Sequence, residues 1–428
     1  MSRNKYIYTL IFVMVLAVFC PAGDWQVIGQ MPFPVNGGEA LVLDSLIYIF
    51  GGYSDSLGGP VNWIQTYNPA TEQWQRVGHM DLPRYGFVAD KLGDSLVVLC
   101  GGLWTYSADN YGLQLWNFRN RSNDWDQVIE KNINFDRIYM TGHVYGNSLF
   151  LFGGLMPPAQ PDSDSLSYII RYDIIANQLS FFHEEIYTNA PLPYHHMSVR
   201  LGSKVYIIGG VRYNLSDKII TYDLESNTLE PAGSMLGVCA GGKAVTDSNW
   251  IYIIGGYNER NHALNRVEFY DPNTNQSYLG PPLNHPRKEI MAVVFNNCIY
   301  VFGGKDQNDF SSPWVEKLAL ASITASNRSE AQELSAQKFY LFDNYPNPFN
   351  SSTMISFDLN SKTYLTLDIY SITGQHIQTL AQGEFQPGFY RLVWDGSDNN
   401  HKAVASNVYI YQLRTEKFVQ AKKMVLLK

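Results

Sequence analysis

Leu46-Ile47-Tyr48-Ile49-Phe50-Gly51-Gly52 is a short run of branched and aromatic apolar residues stopped by two glycines. Such side chains favour a pleated strand, and the glycines end it in a turn. The pattern returns as LVVLCGG at 96–102, LFLFGG at 149–154, VYIIGG at 205–210, IYIIGG at 251–256 and IYVFGG at 299–304. The glycine pairs are Gly51-Gly52, Gly101-Gly102, Gly153-Gly154, Gly209-Gly210, Gly255-Gly256 and Gly303-Gly304, spaced 50, 52, 56, 46 and 48 residues apart. One Gly-Gly marks only a turn. Six at a steady period mark a repeat architecture, in which each unit covers its neighbour's apolar face.

Each unit then carries a second signature. Tyr67 and Trp74, Trp116 and Trp125, Tyr172 and Leu179, Tyr222 and Leu229, and Tyr270 and Tyr278 bracket turn-rich stretches such as Asn68–Gln73. The unit therefore reads strand, strand, Gly-Gly loop, strand, tight turn, strand, which is a four-stranded antiparallel blade. The sixth unit has three strands, ending near VEKLAL, and no fourth. Asp24–Met31 resembles Gln73–Met80, the outer strand of the first unit, sharing Trp25 with Trp74, Gln26 with Gln75, Gly29 with Gly78 and Met31 with Met80. The N-terminal segment is expected to complete the last blade and so close the ring.

The composition agrees. Charged residues are 16% and aromatics 14% of 428 residues, with 34 Gly and 20 Pro, which excludes disorder, collagen and coiled coil and points to an all-β chain. The formal charge is −8, or −10 once Arg3 and Lys5 are removed with the N-terminus, and no basic run exists. Nucleic acid and anionic membrane are excluded as partners. Arg3 and Lys5 precede Leu10–Phe19, an apolar stretch too short to span a bilayer, and Cys20-Pro21-Ala22 leads to Gly23. Residues 1–22 read as a secretory signal peptide, with no membrane span after its cleavage. Cys100, Cys239 and Cys298 are then an odd, widely spaced trio, expected to be buried apolar groups and neither a disulfide framework nor a zinc site.

The Gly-Gly runs with their spaced aromatics resemble kelch repeats from Asp24 to Leu320. The resemblance implies a six-bladed β-propeller of the galactose oxidase-like kind over residues 23–320. Residues 321–338 (ASITASNRSEAQELSAQK) are small and polar and read as a linker. Residues 339–428 alternate in short strands, indicating a small Ig-like β-sandwich. This segment resembles the type A C-terminal sorting domain of type IX secretion substrates. The match rests on Asn344-Tyr345-Pro346-Asn347-Pro348-Phe349-Asn350, Ile369-Tyr370, Gly374-Gln375, Gly388-Phe389-Tyr390, Trp394-Asp395-Gly396, Val408-Tyr409 and the terminal Lys423–Lys428. It implies recognition by the type IX translocon and a secreted or cell-surface location.

In a kelch propeller the loop after Gly-Gly and the loop entering the next inner strand share one face. That face would carry the aromatics Tyr85, Trp104, Tyr106, Tyr139, Tyr213 and Tyr257, the arginines Arg84, Arg137, Arg212, Arg260 and Arg287, and His195. Aromatics give flat contact area at low entropic cost, and Arg grips carboxylate in a fork, so the face is expected to bind a glycan or a protein. His195 and His196 are adjacent, point to opposite sides of a strand and do not form a metal pair; no metal, cofactor or catalytic constellation is expected. The alternative is a carbohydrate-active enzyme similar to the six-bladed N-acetylneuraminate epimerase, a sialic-acid mutarotase. It would use Arg84, Arg137 or Arg287 on the carboxylate and Glu39, Glu289 or His195 as acid–base. Binding is the favoured reading.

Overall fold

The computed structural model describes residues 24–102, 112–119, 125–129, 137–155, 169–182, 192–212, 214–320, 339–341, 344, 346–359, 362–386, 388–400, 402–416 and 419–427. The expected signal peptide and linker, with Trp104, Tyr106, Tyr213, Tyr345 and Lys428, lie outside the described residues.

The chain is all-β, and its repeat region forms six four-stranded antiparallel sheets. Blade 1 runs from the channel outward as Glu39–Leu43, Leu46–Phe50, Trp63–Asn68 and Gln73–His79. The innermost strands of blades 2 to 6 are Phe87–Leu92, Thr141–Tyr145, Met197–Leu201, Lys243–Thr246 and Met291–Phe295. Each inner strand neighbours the next, and the sixth returns to the first, so the sheets close into a propeller around a channel. The outer strand of blade 6 is Gln26–Gln30, paired antiparallel with Trp314–Ala319. Beside it Trp25 is buried, its indole donating to the Pro281 carbonyl at 2.8 Å while Asn284 Nδ2 donates to the Trp25 carbonyl at 2.9 Å.

The second strand of each blade is the most buried: Ile47–Phe50, Val97–Cys100, Leu149–Phe152 and their counterparts fill the interfaces between blades. Both faces of a blade are covered by neighbours, which is why these runs are continuously apolar and do not alternate. Every Gly-Gly pair has positive φ at both positions, and a Cβ on the first glycine of blades 4 and 6 would lie 2.3 Å from a carbonyl oxygen. Only glycine fits there.

The C-terminal unit packs a three-stranded sheet (Phe339–Leu341, Thr353–Leu359, Gly388–Trp394) and a four-stranded sheet (His376–Phe385, Thr363–Ser371, Asn407–Thr415, Val419–Leu426) around Ile355, Phe357, Leu367, Trp394, Tyr411 and Met424. Phe349 of the YPNPFN segment is buried against Trp394 and pairs its backbone with Val425 and Leu427, while Pro346, Asn347, Pro348 and Asn350 are exposed. Lys423 is exposed on the last strand. Cys100 and Cys239 are buried thiols, but Cys298 is only partly buried, because it begins its strand at a turn. Among the described residues no helix is long and apolar enough to cross a membrane.

Candidate functional site at the channel rim

The loops entering the inner strands and the loops after Gly-Gly do lie together. Asn36 bridges Tyr53, Ile138 bridges Leu155, Tyr194 bridges Val211, Ala240 bridges Tyr257 and Lys288 bridges Lys305. Just before each inner strand one residue adopts the left-handed conformation: Gly37, Gly86, Tyr139, His195, Gly241 and Glu289, with φ from 53° to 64°. Their backbones form a closed circuit. Gly86 N–H donates to Gly37 O, Tyr139 to Gly86, His195 to Tyr139, Gly241 to His195, Glu289 to Gly241 and Gly37 to Glu289, at 2.6–3.2 Å. Six hydrogen bonds thus run once around the channel mouth and fix its rim.

Three rim positions are glycine, and rings lie against them. A Cβ on Gly37 would meet the Tyr85 ring at 2.7 Å, one on Gly86 the Tyr139 ring at 3.2 Å, and one on Gly241 the Tyr257 ring at 2.7 Å. The other three hold Tyr139, His195 and Glu289 in a conformation that costs an L-residue about 1–2 kcal/mol. Aromatic contacts continue along the rim from Tyr53 to Tyr85, Tyr139, His195 and Tyr257, with ring centroids 3.5–5.9 Å apart. Burial depresses His195 to about 3, so it is neutral, and its Nδ1 accepts from Tyr257 Oη at 2.8 Å. The Tyr139 ring stands edge to face with the imidazole. The rim is completed by ion pairs. Glu289 sits 3.3 Å from Lys305, and buried Lys288 reaches Asp309 at 2.6 Å and Asn261 Oδ1 at 2.8 Å, tying the loops of blades 5 and 6. Ser311 donates through N and Oγ to Asp55 at 2.5 Å, tying blade 6 to blade 1.

The expected arginines are corrected here. Arg84, Arg137 and Arg287 are buried beneath the rim, not displayed on it. Arg84 donates to the Gly101 carbonyl and to Gln114 Oε1, Arg137 to the Gly153 carbonyl at 3.1 Å, and Arg287 to Gly303 and Trp314 carbonyls and to Glu316 at 2.8 Å. Each clamps the first glycine of its own blade's Gly-Gly turn, whose strand-end carbonyl needs a partner once buried. Cys239 stands in the equivalent place in blade 5, its thiol directed at the Gly255 carbonyl at 3.2 Å. Arg266 supplies the missing cation, 2.9 Å from the buried Glu268. Of the remaining arginines, Arg212 is half-buried after the blade 4 turn and Arg260 is exposed at a loop tip. The structure therefore brings together Tyr85, Tyr139, His195 and Tyr257. It adds Glu289 with Lys305 and the rim glycines. Gly37-Gly38 and Gly241-Gly242, double glycines outside the strand-ending pattern, were the available signal for those glycines.

Below the rim the channel opens into a cavity of about 350 Å³. In it Lys243 Nζ meets Glu39 Oε2 at 2.6 Å across the ring. Blades 3 and 4 are joined there by His143 Nε2 with Ser198 Oγ, and by Thr141 Oγ1 with His196 Nε2, both at 2.7 Å. Among the described residues no group of three His, Cys, Asp or Glu is placed to hold a metal.

A ring of kelch-type blades with a separate C-terminal sandwich is the class defined so far, and comparison with known proteins makes it specific. Residues 37–234 match the KLHDC2/KLHL20/DRC7 Kelch-repeats domain, 239–284 the Kelch motif, and 343–427 the Secretion system C-terminal sorting domain. The chain carries kelch-repeat domains, folded as a propeller, and a type IX secretion sorting domain, which marks it for export. It is 31% identical over 126 residues to Kelch-like ECH-associated protein 1A of Danio rerio, covering 29% of this chain and 20% of that protein. It is 23% identical over 303 residues to Alpha-scruin of Limulus polyphemus (67% of this chain, 27% of that one) and 28% over 259 residues to Host cell factor 1 of Rattus norvegicus (54% and 12%). The chain thus spans less than a third of the length of each of these relatives.

Proposed function

We propose that this chain is an exported binding module whose channel rim captures an extracellular glycan or protein, delivered across the outer membrane by the type IX translocon acting on its C-terminal domain. The observation that carries this reading is the rim itself. Three non-glycine residues, Tyr139, His195 and Glu289, are held in the left-handed region where glycine serves the other three blades. A left-handed conformation kept at three rim positions that glycine would serve without cost supports a role for the side chains. The mutarotase alternative loses its anchors, because Arg84, Arg137 and Arg287 are occupied by carbonyls and carboxamide or carboxylate partners, and Glu39 and Glu289 each face a lysine.

The test replaces Tyr139, His195 and Glu289 together with glycine. Relief of the left-handed conformation offsets lost packing, so the variant should fold, while binding on a printed glycan array or to a surface partner should be lost. Undiminished binding by the all-glycine rim would refute the assignment.

A further inference from the structure

Resting on the rim as the ligand-capturing end, the channel cavity narrows the ligand's chemistry. Its 350 Å³ is at the small end of ligand-sized cavities, room for one sugar ring and not for a folded peptide turn. Lys243 and Glu39 neutralise one another at 2.6 Å, yet an ammonium has three protons and a carboxylate about four acceptor positions, so the pair turns both donors and acceptors toward the space. Both side chains retain exposure, 27% and 18%, although they lie inside the ring. Thr141 and Ser198 add hydroxyls, each already fixed in direction by a histidine. Burial keeps those histidines, His196 and His143, well below their ordinary pKa and so uncharged. At the far end Asp90 is engaged by the Val144 and Lys91 amides.

We infer that the channel beneath the rim is a subsite for a neutral polyhydroxylated ring, a single uncharged sugar unit, held by Lys243 and Glu39 through adjacent hydroxyls. One hydroxyl donates to Glu39 and its neighbour accepts from Lys243, a pairing that a vicinal diol provides at the required spacing. An anionic ligand would meet Glu39, with Asp90 and Glu289 lining the same cavity, and a cationic one would meet Lys243, with Glu39 and Glu289 each paired to a lysine and Asp90 bonded by two amides.

Saturation-transfer NMR and calorimetry on the full exported chain test this with methyl glucoside, methyl galactoside, methyl mannoside and myo-inositol, against glucuronate and glucosamine as charged ring analogues. At least one uncharged probe should bind one to one, and the charged analogues at least tenfold more weakly. Glu39→Gln with Lys243→Met should weaken the uncharged probe more than tenfold. The exchanged pair, Glu39→Lys with Lys243→Glu, keeps the ion pair, donors and acceptors and should bind within threefold of the parent, which separates lost chemistry from lost folding. Equal binding of the charged analogues, or of the Gln/Met variant, overturns the inference. If no probe binds while rim-dependent glycan or protein binding persists, the channel subsite fails and the rim reading stands. If both are absent, both fail.

Discussion

Acid should loosen the propeller at one identifiable seam. His143 and His196 join blades 3 and 4 through Ser198 and Thr141, and His196 Nδ1 also donates to the Pro193 carbonyl at 2.7 Å. His196 is 4% exposed, and His143 is half-buried and lines the cavity. Desolvation lowers His143 to about 3 and His196 to about 4. The folded values lie below the ordinary 6.5, so the unfolded chain binds more protons on acidification. The stability these groups contribute is therefore complete above pH 6.5 and is lost as pH falls toward their folded values. Between pH 8 and pH 5 the loss is about 2 kcal/mol per histidine, insensitive to the folded value while it stays near 4 or below. Glu39, Asp90 and Glu289 are pushed up by burial and act with the opposite sign, while Arg200 and Lys243 face His143 with fixed charge. These groups remain in a His143→Gln, His196→Asn variant, so the difference between the two proteins isolates the imidazoles. Urea unfolding at pH 8 and pH 5 should show the parent losing about 4 kcal/mol more than the variant. Equal losses would refute the account of the seam.

Arg287→Met should destabilise by about 3–5 kcal/mol in denaturant unfolding, because it strands Glu316, a buried carboxylate held low despite burial by His285, Arg287 and Asn284. A change below about 1 kcal/mol would show that the clamp is dispensable. Trp25→Ala should cost about 3–5 kcal/mol by opening the seam between the outer strand of blade 6 and Pro281. An unchanged melting temperature would contradict closure by Gln26–Gln30. Removing residues 339–428 should leave the propeller folded and retained inside the outer membrane of a type IX-competent host, and surface delivery of the truncated chain would count against the sorting role.

The propeller was legible because its signals are local and repeated. A strand run ending in Gly-Gly is written in seven adjacent residues, and backbone sterics alone require the glycines. The rim was only partly legible. Tyr85, Tyr139, His195 and Tyr257 could be assigned to one face from loop position, and they meet there. Arg84, Arg137 and Arg287 sit in the same loops, two residues before the rim residue or beside it, yet point the other way, into the blade. Sequence gives no sign of that direction, since the shared partner is a backbone carbonyl, identical in every residue, and the side-chain partners Gln114 and Glu316 lie 30 and 29 residues away. The Lys243–Glu39 pair was equally hidden, because 204 residues separate its members and only ring closure brings them together.

A ring of near-equivalent blades offers its own control for separating structural from functional departures. Where blade 5 replaces the clamping arginine with Cys239, a second residue, Arg266, arrives to neutralise Glu268 and to bond the Gly237 carbonyl at 2.7 Å. That departure is repaired nearby, while Val35 in blade 1 and Pro193 in blade 4 hold the same position without an arginine. Where blades 3, 4 and 6 replace the rim glycine with Tyr139, His195 and Glu289, the left-handed φ persists. A cost that glycine would remove, placed three times at one end of the channel, is better explained by what the side chains do there than by how the blades pack.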